Sequence, residues 1–410
     1  MLKPRTSPRG VTIVPGGGVT TPRGFVAGAA FAGIKTLGKD PLDVGILASE
    51  RPCKAVAMFT RSTVPACAVL VSKDHVRSGS VQAVVVNSGC SNVATGARGM
   101  RDAVELSEIT ADMLAIRPSA VLVGSTGVIG RYLPMEKIRK GLANIALSTD
   151  GGHAFARANM TTDTFAKEIA VRFRAAGIEY AIGACAKGSG MIHPDMNTMF
   201  CWVTTDAPVD GVFLRSSFRV AIGDSLNMIS VDGDTSTSDT SAILANGTAG
   251  GRVITRDGPG GATFEAALRY VTAEIARMLA RDGEGASKLI EMRIERAATD
   301  VEARRAARTV TVSPLVKSAV HGADPNWGRL LMAIGRSGAR INVDRARAWI
   351  GDIPVFRGVP LDFDERAASR YLKNEEVVLR VDLGVGKATA TAWGCDLTQE
   401  YVHINSDYTT

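Results

Sequence analysis

The side chain with the most to offer chemistry lies in the densest polar, glycine-rich stretch of the chain, CAKGSGMIHPDMNTMFCWVTT at residues 185–205. An apolar run ends near Ala186, a Gly-Ser-Gly turn follows, Pro194 fixes the entry, and Thr198 opens the next apolar run. Spacing alone says that a tight loop delivers a hydroxyl to the start of a buried strand. A threonine that merely caps a strand fits the same pattern, and residue types do not choose between the two. Other clusters fail on their own terms. LGVGKAT (383–389) imitates the end of a phosphate-binding loop, but the first glycine of GxxxxGK falls on Val381. DGDTSTSDT (232–240) imitates a calcium loop, yet it lacks the glycine at the sixth place and has Ile243 where the twelfth-place carboxylate belongs. GxSxG, the serine-hydrolase elbow, does not occur. The five histidines are isolated and the six cysteines form no CxxC pair, so no metal site is expected and the thiols should be reduced and mostly buried.

The elements that must position this loop read as a mixed α/β enzyme with helices layered on sheets. Residues 81–86 (VQAVVV) and 119–123 (SAVLV) predict buried strands, with a helix over 98–116 between them. A second helix is predicted over 135–147 behind Pro134. Residues 169–173 and 178–184 predict paired strands around Ala176-Gly177, and 198–203 another strand. Helices are predicted over 212–228 and 263–279, the latter ending near Gly283 in a left-handed cap. A strand at 288–294, a helix at 301–308 and a strand at 377–383 follow. The stretch PGGGVTTPRGFVAG reads as turn and strand, preceded by a basic, unstructured tip. With 410 residues, two or three folding units are expected. No apolar run approaches the roughly 20 residues that span a bilayer, so the expectation is a cytoplasmic protein with no membrane partner. The net charge of +7 is scattered and aromatic residues are scarce at 5%, which argues against nucleic acid and suits acidic small substrates.

KGSGMIHPDMNTM (187–199) resembles the cleavage-site motif of the ornithine acetyltransferase (glutamate N-acetyltransferase) family, usually KGSGMI-A/H-P-N-M-A-T-M. The likeness runs the length of the chain in the family's order. NSGCSN (87–92), STGVIG (125–130), MTTDT (160–164), VDGDTSTSD (231–239), ILANG (243–247), GEGASK (283–288), GADPNWGR (322–329) and the terminal INSDYTT (404–410) are all similar to its motifs. The resemblance implies a layered helix–sheet sandwich that cuts itself between Asn197 and Thr198 into an α fragment (1–197) and a β fragment (198–410). It implies that the freed Thr198 is the nucleophile, with its own α-amine as base. An unperturbed α-amine has a pKa near 8, close to working pH. Thr198 would take acetyl from N-acetylornithine and pass it to glutamate. By similarity Thr126 and Gly127 form the oxyanion hole. Thr161, Lys187, Thr198, Glu284, Asn405 and Thr410 hold the substrate, Lys187 facing a carboxylate and Glu284 an ammonium. No cofactor is implied, acetyl-CoA is a possible co-substrate, and the fragments would assemble as an α2β2 heterotetramer.

The sequence departs from the family around this centre. Asn197 replaces the usual alanine before the cut, Asp195 stands where asparagine is common, and Cys90 and Ser91 replace the asparagine and alanine of NSGNAN. These departures leave open a paralogue with a different acyl donor or acceptor. Two other readings compete with the transferase: a self-cleaving N-terminal-threonine amidase or aminopeptidase, with water as acceptor, and a non-catalytic binding protein whose chain stays uncut.

Overall fold

The computed structural model describes residues 4–35, 41–193 and 199–407. In chain order its first eight strands are β1 (Val11–Val14), β2 (Phe25–Ala30), β3 (Val44–Phe59), β4 (Ser80–Cys90), β5 (Val121–Val128), β6 (Lys167–Ala175), β7 (Ile178–Lys187) and β8 (Phe200–Thr205). Then follow β9 (Ile229–Ser230), β10 (Thr240–Ala245), β11 (Leu289–Ala297), β12 (Arg347–Ile350), β13 (Ile353–Arg357), β14 (Glu376–Asp382) and β15 (Ala388–Cys395).

The first sheet runs β1-β6-β7-β8-β10-β3-β4-β5, with β2 also paired to β3. Pairing is parallel at β8–β10 and β4–β5 and antiparallel elsewhere. The long strand β3 makes this possible. Its first half pairs with β2 and β4, a register shift follows between Ala48 and Cys53, and its second half pairs with β10. The sheet thereby folds over itself, and a Cβ on Gly124 of β5 would lie only 3.1 Å from the Phe200 and Trp202 rings of β8. Alternation along β8 fills two cores: Phe200 and Trp202 face the folded-over half, while Cys201 and Val203 face the helices beyond. The β6–β7 hairpin turns at Ala176-Gly177, both with positive φ (49° and 82°), the primed two-residue turn that matches strand twist.

The second sheet runs β13-β12-β14-β11-β15-β9. The helix Gly261–Arg281 packs on β6 and β7 of the first sheet and on β9, β11 and β15 of the second, so it is buried on most sides. Burial on both faces forces its charges to pair, and Arg277 binds Glu274 and Glu376 at 2.9 and 2.7 Å. The neighbouring helix Gly211–Asp224 starts where the Asp210 carboxylate accepts the N–H groups of Val212 and Phe213. The helix Asp300–Thr311 covers the second sheet, capped by the Thr299 hydroxyl with Asp300 and Glu302 in its first turn. The result is the layered α/β arrangement expected.

Several boundaries differ for identifiable reasons. The helix predicted over 135–147 is Met135–Ala143, because the following chain exchanges hydrogen bonds between Ser148 and Ala27. The helix predicted to Met228 ends at Asp224 and continues as a 3-10 turn, Leu226–Met228. Gly283 is not the left-handed residue; Asp282 ends the helix and Gly285 takes the positive φ of 68°. The basic tip is not loose from Pro4 onward: Arg5 pairs with Glu291, and its carbonyl accepts the Tyr270 hydroxyl at 2.6 Å. All six cysteines are buried and unpaired. No helix among the described residues is long and apolar enough to cross a membrane.

Candidate active site

One cavity of about 370 Å3 collects Thr126, Gly127, Thr161, Lys187, Glu284 and Asn405, which come from five separate stretches of sequence. Met199, one residue beyond Thr198, also lines it. Asn197, Thr198, Thr410 and Asp195 lie outside the described residues.

Thr126 and Gly127 end β5, alongside the NSGCSN loop that ends β4. Gly127 has φ 122°, and a Cβ there would come within 2.4 Å of the Gly89 carbonyl carbon, so both torsion and space require glycine. The loop is a scaffold for this turn. The Asn87 side-chain amide and the Ser125 hydroxyl both donate to the Cys90 carbonyl, at 2.8 and 2.9 Å. The Ser91 N–H and hydroxyl both reach the Val128 carbonyl. Cys90 and Ser91, the two residues that depart from the family pattern, are buried, and burial pushes the Cys90 thiol up and keeps it inert.

Behind the cavity sits a buried ion triad that fixes three of its walls. Lys167 bridges Asp163 and Asp282, each at 2.5 Å, with no side-chain exposure on the lysine. Asp163 also accepts the N–H of Thr161 (3.0 Å) and of Gly188 (2.7 Å), which aligns the MTTDT loop with the KGSG turn. Asp282 accepts Thr164, and its carbonyl takes the Ser189 hydroxyl at 2.6 Å. Burial alone would raise the Asp163 carboxyl, but Lys167, Lys187 and the Gly188 N–H outweigh it and hold it below the ordinary range.

Lys187 ends β7 and is half-buried, its ammonium 5.5 Å from the centre of the Phe200 ring. Burial lowers its affinity for a proton; Asp163, Asp239 and Glu284 oppose that shift. Glu284 is buried, not a surface charge. Its N–H donates to the Ser189 carbonyl at 3.0 Å, and Gly190 leaves room for its carboxylate, which would stand 2.3 Å from a Cβ at that position. Asn405 donates to Glu284 at 2.8 Å from the C-terminal helix Gln399–Asp407, so this tail is folded against the site. Tyr401 of the same helix lines the cavity, and burial together with Asp232 and Glu284 raises its phenol and keeps it neutral.

The acidic loop rejected as a calcium site forms the opposite wall. Asp232 accepts the N–H groups of Met191 and Ile192 at 2.6 and 2.9 Å, clamping the chain just after the KGSG turn. His193 anchors the same segment. Arg308 can only donate to its Nε2 (2.9 Å), so Nδ1 carries the proton and donates to the Ser230 hydroxyl at 3.1 Å. Asp239 is 2% exposed and lines the cavity, and burial raises its carboxyl well above the ordinary range against the pull of Lys187. Sequence reasoning assigned no part to Asp232, Asp239 or Tyr401. The family-like VDGDTSTSD string was the available signal for the first two.

A hydroxyl and a backbone N–H at the end of a strand, beside a lysine and a glutamate of fixed position, are the parts needed to bind an amino acid and stabilise a tetrahedral acyl intermediate. Comparisons with known proteins show which family the chain belongs to. Residues 26–410 match the model of the ArgJ family. The chain is 47% identical over 401 residues to the arginine biosynthesis bifunctional protein ArgJ of Dehalococcoides mccartyi, covering 98% of this chain and 99% of that one. It is 51% identical over 400 residues to the protein of the same description from Symbiobacterium thermophilum, at 96% and 99% coverage. A crystal structure of the arginine biosynthesis bifunctional protein ArgJ from Bacillus halodurans superposes with a TM-score of 0.50 at 42% identity, covering 50% of this chain and 98% of that chain. The chain belongs to the ArgJ family.

Proposed function

We propose that this enzyme of arginine biosynthesis carries acetyl from N2-acetylornithine to glutamate on Thr198, having first cut itself between Asn197 and Thr198. The observation that carries the reading is the convergence of Thr126, Gly127, Thr161, Lys187, Glu284 and Asn405 on the one cavity that Met199 also lines. In the first half-reaction the Thr198 α-amine takes the hydroxyl proton as the oxygen attacks the acetyl carbonyl. The Thr126 hydroxyl and the Gly127 N–H receive the developing negative charge. The tetrahedral intermediate collapses, the amine of ornithine takes the proton and leaves, and acetyl stays on Thr198. Glutamate then enters and reverses each step with its own amine. Lys187 holds the α-carboxylate common to both amino acids, Glu284 an ammonium, and Thr161 and Asn405 complete the grip. Asp232, Asp234 and Glu284 line the cavity against the single lysine, Lys187, among the described residues, which favours the extra ammonium of the ornithine side chain. Thr410 is assigned to substrate binding by the family resemblance alone.

The solved Bacillus halodurans relative supports the cut. Nearly all of its chain, 98%, is matched by 50% of this one, the length that scission near the middle leaves. The cut defines the fragments 1–197 and 198–410, and their assembly as α2β2 follows the family. Acetyl-CoA is a second acetyl donor, the chemistry calls on no resident cofactor, and the cytoplasm is the place of work. Intact-mass measurement on purified protein tests the core of this: two masses meeting at Asn197/Thr198 are expected, and one mass from Thr198→Ala. Ornithine release from N2-acetylornithine should require glutamate; release at the same rate without it would make the protein a hydrolase.

A further inference from the structure

The two amino acids that share this cavity differ most at their far ends. The side chain of N2-acetylornithine ends in an ammonium and that of glutamate in a carboxylate, yet one site must take both. Asp232, Asp234 and Glu284 suit the first and repel the second. Lys187, the single lysine among the described lining residues, is engaged by the α-carboxylate that both substrates carry. What the cavity needs at its acidic end is a neutral hydroxyl, which accepts from an ammonium and donates to a carboxylate. Tyr401 supplies one. It lines the cavity from the helix Gln399–Asp407, four residues before Asn405 and therefore on the same face. The Asn405 amide donates to Glu284 at 2.8 Å and to the Tyr401 carbonyl at 2.9 Å, so a single group ties Tyr401 beside that carboxylate. The Thr398 hydroxyl accepts the Tyr401 N–H at 3.3 Å and donates to the Gly285 carbonyl at 2.8 Å, fixing the backbone on the other side. The phenol hydroxyl itself is bonded to none of the described residues, while the Asn405 amide is already committed.

We propose that the Tyr401 hydroxyl receives the side-chain carboxylate of glutamate, and so determines which acceptor the site prefers. The proposal deepens the transfer reading above and rests on it. In the first half-reaction the ornithine ammonium lies against Asp232, Asp234 and Glu284, and the phenol is at most a further acceptor. In the second half-reaction the γ-carboxylate of glutamate enters the same acidic end, where the phenol O–H is the donor that offsets the repulsion. Burial, with Asp232 and Glu284 close by, raises the phenol and keeps the proton that this hydrogen bond requires.

The test is Tyr401→Phe, which removes one oxygen, measured beside wild type with each substrate varied in turn. In a two-step transfer, kcat/KM for each substrate reports its own half-reaction. A hydrogen bond to a charged group is worth about 10–100-fold, so kcat/KM for glutamate should fall at least about tenfold. The value for N2-acetylornithine should stay within about twofold. The acceptor 2-aminopentanoate, which lacks the γ-carboxylate, should be acetylated equally by both proteins. Equal losses for both substrates, a loss confined to N2-acetylornithine, or no loss at all overturns the proposal. So does a fall for 2-aminopentanoate as large as that for glutamate. If Tyr401→Phe does not fold, Tyr401→Leu decides by the same ratios: a loss selective for glutamate supports the role, and an unselective one overturns it. Wild-type protein that releases ornithine equally fast without glutamate would instead overturn the transfer reading itself, and this proposal with it.

Discussion

Thr126 and Gly127 are neighbours with different kinds of necessity. The glycine is dictated by space, since a methyl at its Cβ position would meet the Gly89–Cys90 backbone, and any change there disturbs the parallel β4–β5 pairing. The threonine is 4% exposed and contributes a single hydroxyl to the cavity, so it can be trimmed without moving the strand. Thr126→Ala is therefore expected to leave folding intact and to lower kcat by about 10²–10³-fold, about 3–4 kcal/mol, with little change in KM. A steady-state comparison with wild type checks this, and a large rise in KM alone would assign Thr126 to binding instead. These two residues were legible in the sequence only through the STGVIG motif. The spacing of a threonine and a glycine at a strand end carries no chemistry by itself. Asp239 was harder still, because its burial in the cavity wall is not written in a residue type.

At the scale of elements, the C-terminal helix Gln399–Asp407 is attached to the rest by few but specific contacts. Gly285 admits it, since a Cβ there would lie 2.5 Å from the Tyr401 nitrogen, and Thr398 donates to the Gly285 carbonyl at 2.8 Å. Its gift to the site is Asn405 on Glu284. Truncation after Thr398 should raise the KM for N2-acetylornithine at least tenfold, about 1.4 kcal/mol, while the protein still cuts itself. Loss of cutting in the truncated protein would show that the tail shapes the junction as well. Long periodic helices such as Gly96–Leu114 and Gly261–Arg281 were readable because their apolar residues recur at helical spacing over many turns. The short helices Gly152–Asn159 and Pro314–His321 were not, since two turns give too few repeats to separate from a loop. The fold of the sheet over itself depends on a register shift inside β3, a pairing event that sequence periodicity does not record.

For the whole molecule, the position of the junction between β7 and β8 matters most. With the proposed cut, strand β7 falls in the first fragment and β8 in the second, yet they pair from Ile182–Thr205 to Lys187–Phe200. Strand β3 of the first fragment likewise pairs with β10 of the second. The two proposed fragments would share one sheet, so the architecture would have to be complete before the cut, which would leave these pairings in place. On that proposal the chain crosses from one kind of reaction to another when it is cut. Before it, reaching the native state is a first-order event within one chain; after it, recovery from denaturant is a second-order encounter of two chains, each with a naked strand edge. Diluting the denatured mature enzyme should lower both the rate and the yield of regained activity in proportion to concentration. The uncut Thr198→Ala chain should regain its fluorescence and circular dichroism at a rate that dilution does not touch. A protein cut there would be held in place by its history, with an assembly that only the uncut chain can make within itself.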